Sequence, residues 1–225
     1  RDTIKSRRAT GLSLMPNGFE SLGSEGLRDL LAFIRAGEGK YRVLDLNSAF
    51  TANSTKGIYG SEEAVNESLR FARFGMIKVG DVPFEIVPST KTTTGNNVIV
   101  LKGGIGFAKT RPQRVELKVG VAAKRLHFLG GVGGWAWPCC GENKNENMPA
   151  ARVTVHYADQ EREEIMLRNG QEIAEYNGKN DVPGSQEALG LVKYGQVRWF
   201  SKPLKRQAVI EKIALESFDN SIAPT

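Results

Sequence analysis

Cysteine is nearly absent from this sequence. The two that occur, Cys139 and Cys140, are adjacent. That spacing excludes a metal site of the Cys-x-x-Cys type and leaves neither residue a distant partner for an ordinary disulfide. There are only two histidines, His127 and His156. Both sit in segments of alternating polarity, where a packed or surface role is expected rather than catalysis. No apolar run approaches the roughly 20 residues that a membrane-crossing helix needs. There is no Ser-His-Asp pattern. Gly103-Gly-Ile-Gly106 joins β-type segments and lacks the following helix that a phosphate loop requires. Glu161, Glu163 and Glu164 fall on a polar hairpin, read as a solvated face and not as the paired acids of a glycosidase. The expectation is a chain without a catalytic site.

What is present bounds the class. The 225 residues are 40% hydrophobic, enough for an ordinary core, and the formal charge is +6 with a pI near 9.3. Such a balance suits an anionic partner, or solubility alone. The cations are scattered apart from Lys5-Ser-Arg7-Arg8 and Lys202-Pro-Leu-Lys205-Arg206. No basic helix and no aromatic-interleaved RNA motif is seen, so nucleic acid is not an expected partner and an acidic polymer is. The start at Arg1 without Met, and the end at Thr225 after a β-like stretch, predict a piece of a longer protein.

Two regions differ in pattern, with boundaries at 1–38 and 39–225. In the first, Leu27, Leu30, Leu31 and Ile34 recur at helical spacing behind Ser24 as N-cap and ahead of Gly37, predicting a helix over 24–35. From Lys40 onward, short alternating runs predict strands near 41–46, 73–79, 82–87, 98–102, 114–119, 124–130, 152–158, 163–168, 196–201 and 207–217. Many short strands without intervening helices predict a mostly β protein, an antiparallel β-sandwich or jelly roll, preceded by a short helical segment. The long connections 47–72, 131–151 and 169–195 are where binding is expected, and 61–69 has the composition of a short helical turn.

Three stretches carry candidate residues. Trp135-Ala-Trp137-Pro-Cys139-Cys140 follows a run of glycines (130, 131, 133 and 134) that is expected to loosen the backbone. Trp135 and Trp137 offer indole platforms suited to sugar C–H faces, or one of them plugs the sandwich end. Cys139 and Cys140 either close a strained vicinal disulfide in an oxidising compartment or stay as free thiols. In 169–199, Tyr176, Asn177, Arg198 and Trp199 supply ring contacts and hydroxyl hydrogen bonds, with Lys193-Tyr194 just upstream of Gln196; a structural Trp199 is an equal reading. The third is Met15, in Leu14-Met-Pro-Asn-Gly-Phe19 ahead of the predicted helix.

That Met-Pro segment and helix resemble the end of a c-type cytochrome. More narrowly, residues 1–36 resemble the tail of the haem-binding domain in planctomycete-type exported dehydrogenase-like proteins. The resemblance implies that Met15 is a haem axial ligand only in the full-length parent, since the attachment Cys-x-x-Cys-His is missing from this chain. It also implies haem c in the parent and an exported, periplasmic or extracellular location. The segments Leu44–Phe50, Val82–Val87, Val98–Leu101, Leu126–Leu129, Val153–Asp159 and Ile165–Gly170 are together similar to galactose-binding-domain-like jelly rolls. This implies a non-catalytic carbohydrate-binding module with a saccharide held by edge loops and, in many members, a structural calcium. The joint expectation is a module for acidic or sulfated polysaccharide. The alternative is a structural module that docks neighbouring domains of the parent chain.

Overall fold

The computed structural model describes residues 23, 24, 26–28, 40–104, 106–134 and 146–225. Met15, Trp135, Trp137, Cys139 and Cys140 lie outside the described residues. Of the helix expected over 24–35, residues 24 and 26–28 are described, and they are helical. Among the described residues no helix is long and apolar enough to cross a membrane.

Val43–Thr225 forms one compact unit. Its strands are β1 (Gly75–Val79), β2 (Val82–Ile86), β3 (Arg114–Ala122), β4 (Arg125–Gly130), β5 (Val132–Gly133), β6 (Pro149–Tyr157), β7 (Arg162–Arg168), β8 (Gln186–Glu187), β9 (Arg198–Pro203), β10 (Val209–Ser217) and β11 (Ala223–Pro224). They pair antiparallel in four sheets, ordered β3-β10-β6-β7, β4-β9-β8, β1-β2 and β11-β5. The protein is mostly β with antiparallel sheets, consistent with a sandwich.

Alternation decides which way each strand faces. On β6, Ala151, Val153, Val155 and Tyr157 point inward while Arg152 and His156 point outward. On β10 a bulge between Ile210 and Lys212 shifts the count by one, so the inward residues are Ile210 and then Ile213. These side chains meet Leu126 and Phe200 of the second sheet in one core, where the cross-strand pair Phe128 and Phe200 stacks at 5.0 Å. The second sheet is covered on its other face as well. Leu129 and Val197 join Ile77, Ile86, Tyr59, Val98, Val100 and Leu191 in a second core beneath the β1-β2 hairpin. β4 and β9 thus contribute Leu126, Phe128 and Phe200 to the first core and Leu129 to the second.

The outer face of the four-stranded sheet is a lattice of ion pairs, with Glu116 between Arg114 and Lys212, and Glu216 between Arg152 and Arg114.

Two expected strands are absent. Residues 41–46 carry no ladder and lead into a 3-10 turn at Asn47–Ala49. Residues 98–102 are extended and largely buried, but Val100 N–H donates to Thr51 Oγ1 and Leu101 N–H to the Pro224 carbonyl, so one bridge, Ala52 to Val98, replaces a ladder.

A second difference concerns Glu163, which is not on a solvated face. It points inward on β7 at 7% exposure, where Tyr157 Oη donates to it at 2.9 Å and Lys205 N–H at 3.0 Å. A buried carboxylate needs such donors, and they hold the 204–206 turn against the β6-β7 hairpin.

The glycine run also departs from expectation, since its described members permit close packing. A Cβ on Gly133 would lie 2.3 Å from the Tyr59 ring, and one on Gly134, at φ +91°, 2.3 Å from the Ser221 carbonyl oxygen.

Candidate ligand-binding face

The structure separates the residues singled out in 169–199. Arg198 is 2% exposed, and its guanidinium is engaged by the loop it covers. Nε donates to Ser185 Oγ at 2.9 Å, Nη1 to Gln196 Oε1 at 3.1 Å and to the Asn180 carbonyl at 3.3 Å. Nη2 donates to Asp181 Oδ1 at 2.6 Å and to the carbonyls of Ser185 and Val182. It staples residues 180–185 onto β9 and leaves no donor for a ligand.

Tyr176 is buried against Tyr59, ring centroids 4.7 Å apart. Trp199 is half-buried, parallel to the His127 ring at 6.3 Å and beside Gly80. Asn177 alone of the four is exposed.

Burial raises the Tyr59 hydroxyl well above its ordinary range, a shift that the hydrogen bond shared with the Thr225 hydroxyl opposes, and it raises Tyr176 in the same direction. It pushes Tyr157 up to about 12, with the Glu163 hydrogen bond adding to the effect. Each group keeps its proton in the folded state beyond the pH at which the unfolded chain, near 10, loses it. Their contribution to stability is therefore constant below pH ~10 and is lost as pH rises from there toward 12. In a phenolate absorbance titration, three of the five tyrosines are expected to ionise only with loss of the β-sheet signal. All five ionising together near pH 10 in a folded protein would contradict this.

A different surface gathers what a ligand needs. Two loop segments far apart in sequence pair briefly. Phe71 bridges Val192, Ala72 N–H donates to the Leu191 carbonyl, and Lys193 N–H donates to that of Arg70. Beyond this pair the chains diverge, one into β1 and the other back through 188–191 to β8. Among the described residues neither strand is paired on a second edge: β1 pairs with β2, and β8 with β9.

Between them lies an open cleft of about 210 Å³, lined by Arg73, Lys78, Val79, Gly80, Gln186–Leu189 and Leu191. Of these, Arg73 Nη2 donates to the Leu189 carbonyl at 3.4 Å.

The same two segments carry Leu189 (76% exposed), which lines the cleft, and Tyr194 (68%), Met76 (61%) and Phe74 (47%). Of the seven large apolar side chains exposed among the described residues, these four flank the paired stretches: Phe74 and Met76 follow residues 70–72, and Leu189 and Tyr194 lie on either side of 191–193. Arg70, Arg73, Lys78 and Lys193 are interspersed. Arg70 lies over the Tyr194 ring at 5.7 Å, and among the described residues no carboxylate pairs with any of the four.

Sequence reasoning reached Lys193-Tyr194 and the strand 73–79 without seeing that residues 70–72, just ahead of that strand, pair with 191–193. The available signal was an apolar residue, Phe74 or Met76, in register with the outward Lys78.

Among the described residues no three His, Cys, Asp or Glu side chains converge, so the calcium that the family resemblance implies has no acidic cluster to hold it there. No protein-family model, curated protein or solved structure matches the chain.

Proposed function

We propose that the β body is a non-catalytic carbohydrate-binding module for acidic or sulfated polysaccharide, attached to a haem-containing exported parent. The observation that carries this reading is the composition of the two joined segments: Tyr194 and Phe74 are exposed on them together with four cations that, among the described residues, have no carboxylate partner. Sugars combine flat apolar C–H faces with polar edges, and anionic sugars add charge, so aromatic rings interleaved with cations match them chemically.

We read the fold as a jelly roll of the galactose-binding-domain-like kind. The nested pairing supports this: β3 pairs β10 in one sheet while β4 pairs β9 in the other, as if one antiparallel ribbon were folded across both. The β6-β7 hairpin, kept within one sheet, departs from the simplest form.

The test is a binding screen of neutral, carboxylated and sulfated oligosaccharides, with Trp135→Ala, Trp137→Ala and Tyr194→Ala alongside. Salt-sensitive binding of anionic sugars is expected, weakened about tenfold by Tyr194→Ala. Binding that high salt leaves unchanged contradicts the role of charge.

The exposure of Leu189 and Met76 favours a second reading, a structural module that docks a neighbouring domain of the parent. It predicts concentration-dependent self-association in sedimentation; a monomer at all concentrations counts against it.

A further inference from the structure

We infer that the cleft between β1 and the 186–191 segment seats a single anionic sugar residue, its charged substituent held between Arg73 and Lys78. This rests on the carbohydrate-binding reading above and adds to it a position and a ligand chemistry.

The geometry argues in four steps. First, the cleft adjoins a fixed junction: Leu191 and Arg73 line it, and the two segments are joined beside them by the Phe71–Val192 bridge and its flanking backbone hydrogen bonds. Second, its lining is amphipathic. Val79, Ala188 and Leu191 belong to or pack on the second core and offer an apolar base, while Arg73, Lys78, Gln186 and Glu187 supply polar groups. That division matches a pyranose ring, apolar on its face and polar at its rim.

Third, the two cations that line the cleft are placed differently from Arg70 and Lys193. The Arg73 guanidinium is oriented by its bond to the Leu189 carbonyl, which leaves its other N–H groups for a ligand. Lys78 projects from the outward face of β1, where its cross-strand neighbour is Pro83, so no acid opposes it in register. Fourth, the volume of about 210 Å³ falls below the ~300–1,000 Å³ of pockets that enclose drug-sized ligands. It suits one ring, with the rest of the polymer running over exposed Tyr194 and Phe74.

Glu187 is the single carboxylate in the lining. It accepts hydrogen bonds from sugar hydroxyls and repels a second anionic substituent on the same ring. The cleft therefore favours one charge per sugar over dense sulfation.

The experiment is a titration of the protein with a singly sulfated oligosaccharide, a singly carboxylated one, their neutral parent and polyglutamate. It compares wild type, the double variant Arg73→Ala/Lys78→Ala, and the distant control Lys118→Ala/Lys124→Ala. All four substituted side chains are exposed, so both variants are expected to fold.

The inference predicts at least a tenfold loss of affinity for the charged sugars in the cleft variant, a weaker salt dependence, and little change in the control. Glu187→Gln should raise affinity for a multiply sulfated sugar. The sulfated and carboxylated arms show which anion is preferred. Equal loss in both double variants overturns the cleft in favour of diffuse charge. Charged-sugar binding unaffected by the cleft variant places the site elsewhere and leaves the carbohydrate-binding reading standing. Polyglutamate bound as well as the sugars makes the cleft a site for acidic peptide. A folded wild type that binds none of the sugars removes both readings.

Discussion

Deleting Ser221–Thr225 is expected to abolish the cooperative unfolding transition. This segment enters the interior: Ile222 and Ala223 are fully buried, the first in the core between the two large sheets and the second in the core under the β1-β2 hairpin. β11 pairs with β5, Thr225 and Gly131 exchange both backbone hydrogen bonds at 2.8 and 3.0 Å, and the Pro224 carbonyl accepts from Leu101 N–H. Thr225 Oγ1 is also the partner of the buried Tyr59 hydroxyl. Burial of Ile222 is worth about 2–3 kcal/mol, and each backbone bond about 1 kcal/mol with more for any buried partner left unsatisfied. The sum is comparable with the ~5–15 kcal/mol that holds a whole domain together. A thermal melt that survives the deletion within a few degrees would contradict this role. Ile222→Ala, costing about 2–5 kcal/mol, gives a folded variant in which the same contacts are measured.

Gly133→Ala is expected to destabilise by about 3 kcal/mol or more, whereas Gly190→Ala should cost only about 1 kcal/mol. The two glycines have different reasons to be glycine. At Gly133 the new Cβ would lie 2.3–2.5 Å from three atoms of the Tyr59 ring. The ring cannot swing aside freely, because it is held by Thr225 on its hydroxyl and by Tyr176 on its face. Gly190 has φ +68° but open space around its Cβ position, so an alanine there meets only the left-handed backbone penalty. Chemical denaturation of the two variants measures the difference. Equal costs would mean that close packing at Tyr59 does not constrain the fold.

Much of the β body was legible because period-2 alternation survives wherever one strand face is buried. β3, β6, β7 and β10 fall where alternation places them. β5, β8 and β11 span two residues each and carry no period to read. The segment 98–102 shows why alternation overshoots: it reports burial, and Val100 and Leu101 are buried, but their backbone partners are a threonine hydroxyl and the distant Pro224 carbonyl.

The site was less legible. Arg198 next to Trp199 reads as a polar contact beside a platform, yet all but one of the acceptors that surround it come from 180–185, a loop whose path no local pattern specifies. Phe74 and Met76 belong to the strand expected at 73–79, whose exposed face local alternation does not identify; their exposure follows from the hairpin having its inward face on the second core and its outward face on nothing described. The cleft depends on residues 70–72 meeting 191–193, a tertiary pairing that no local pattern announces.

The central claim is that ligand binds on the face formed by residues 70–78 and 186–194. Backbone amide shift mapping by NMR, with a singly sulfated oligosaccharide added to isotope-labelled protein, tests it most directly. The account predicts that the perturbed resonances cluster at Arg70–Lys78 and Gln186–Tyr194, while the ion-pair lattice on the outer face of the four-stranded sheet stays unchanged. Perturbations confined to 135–145, or to that lattice, would contradict it.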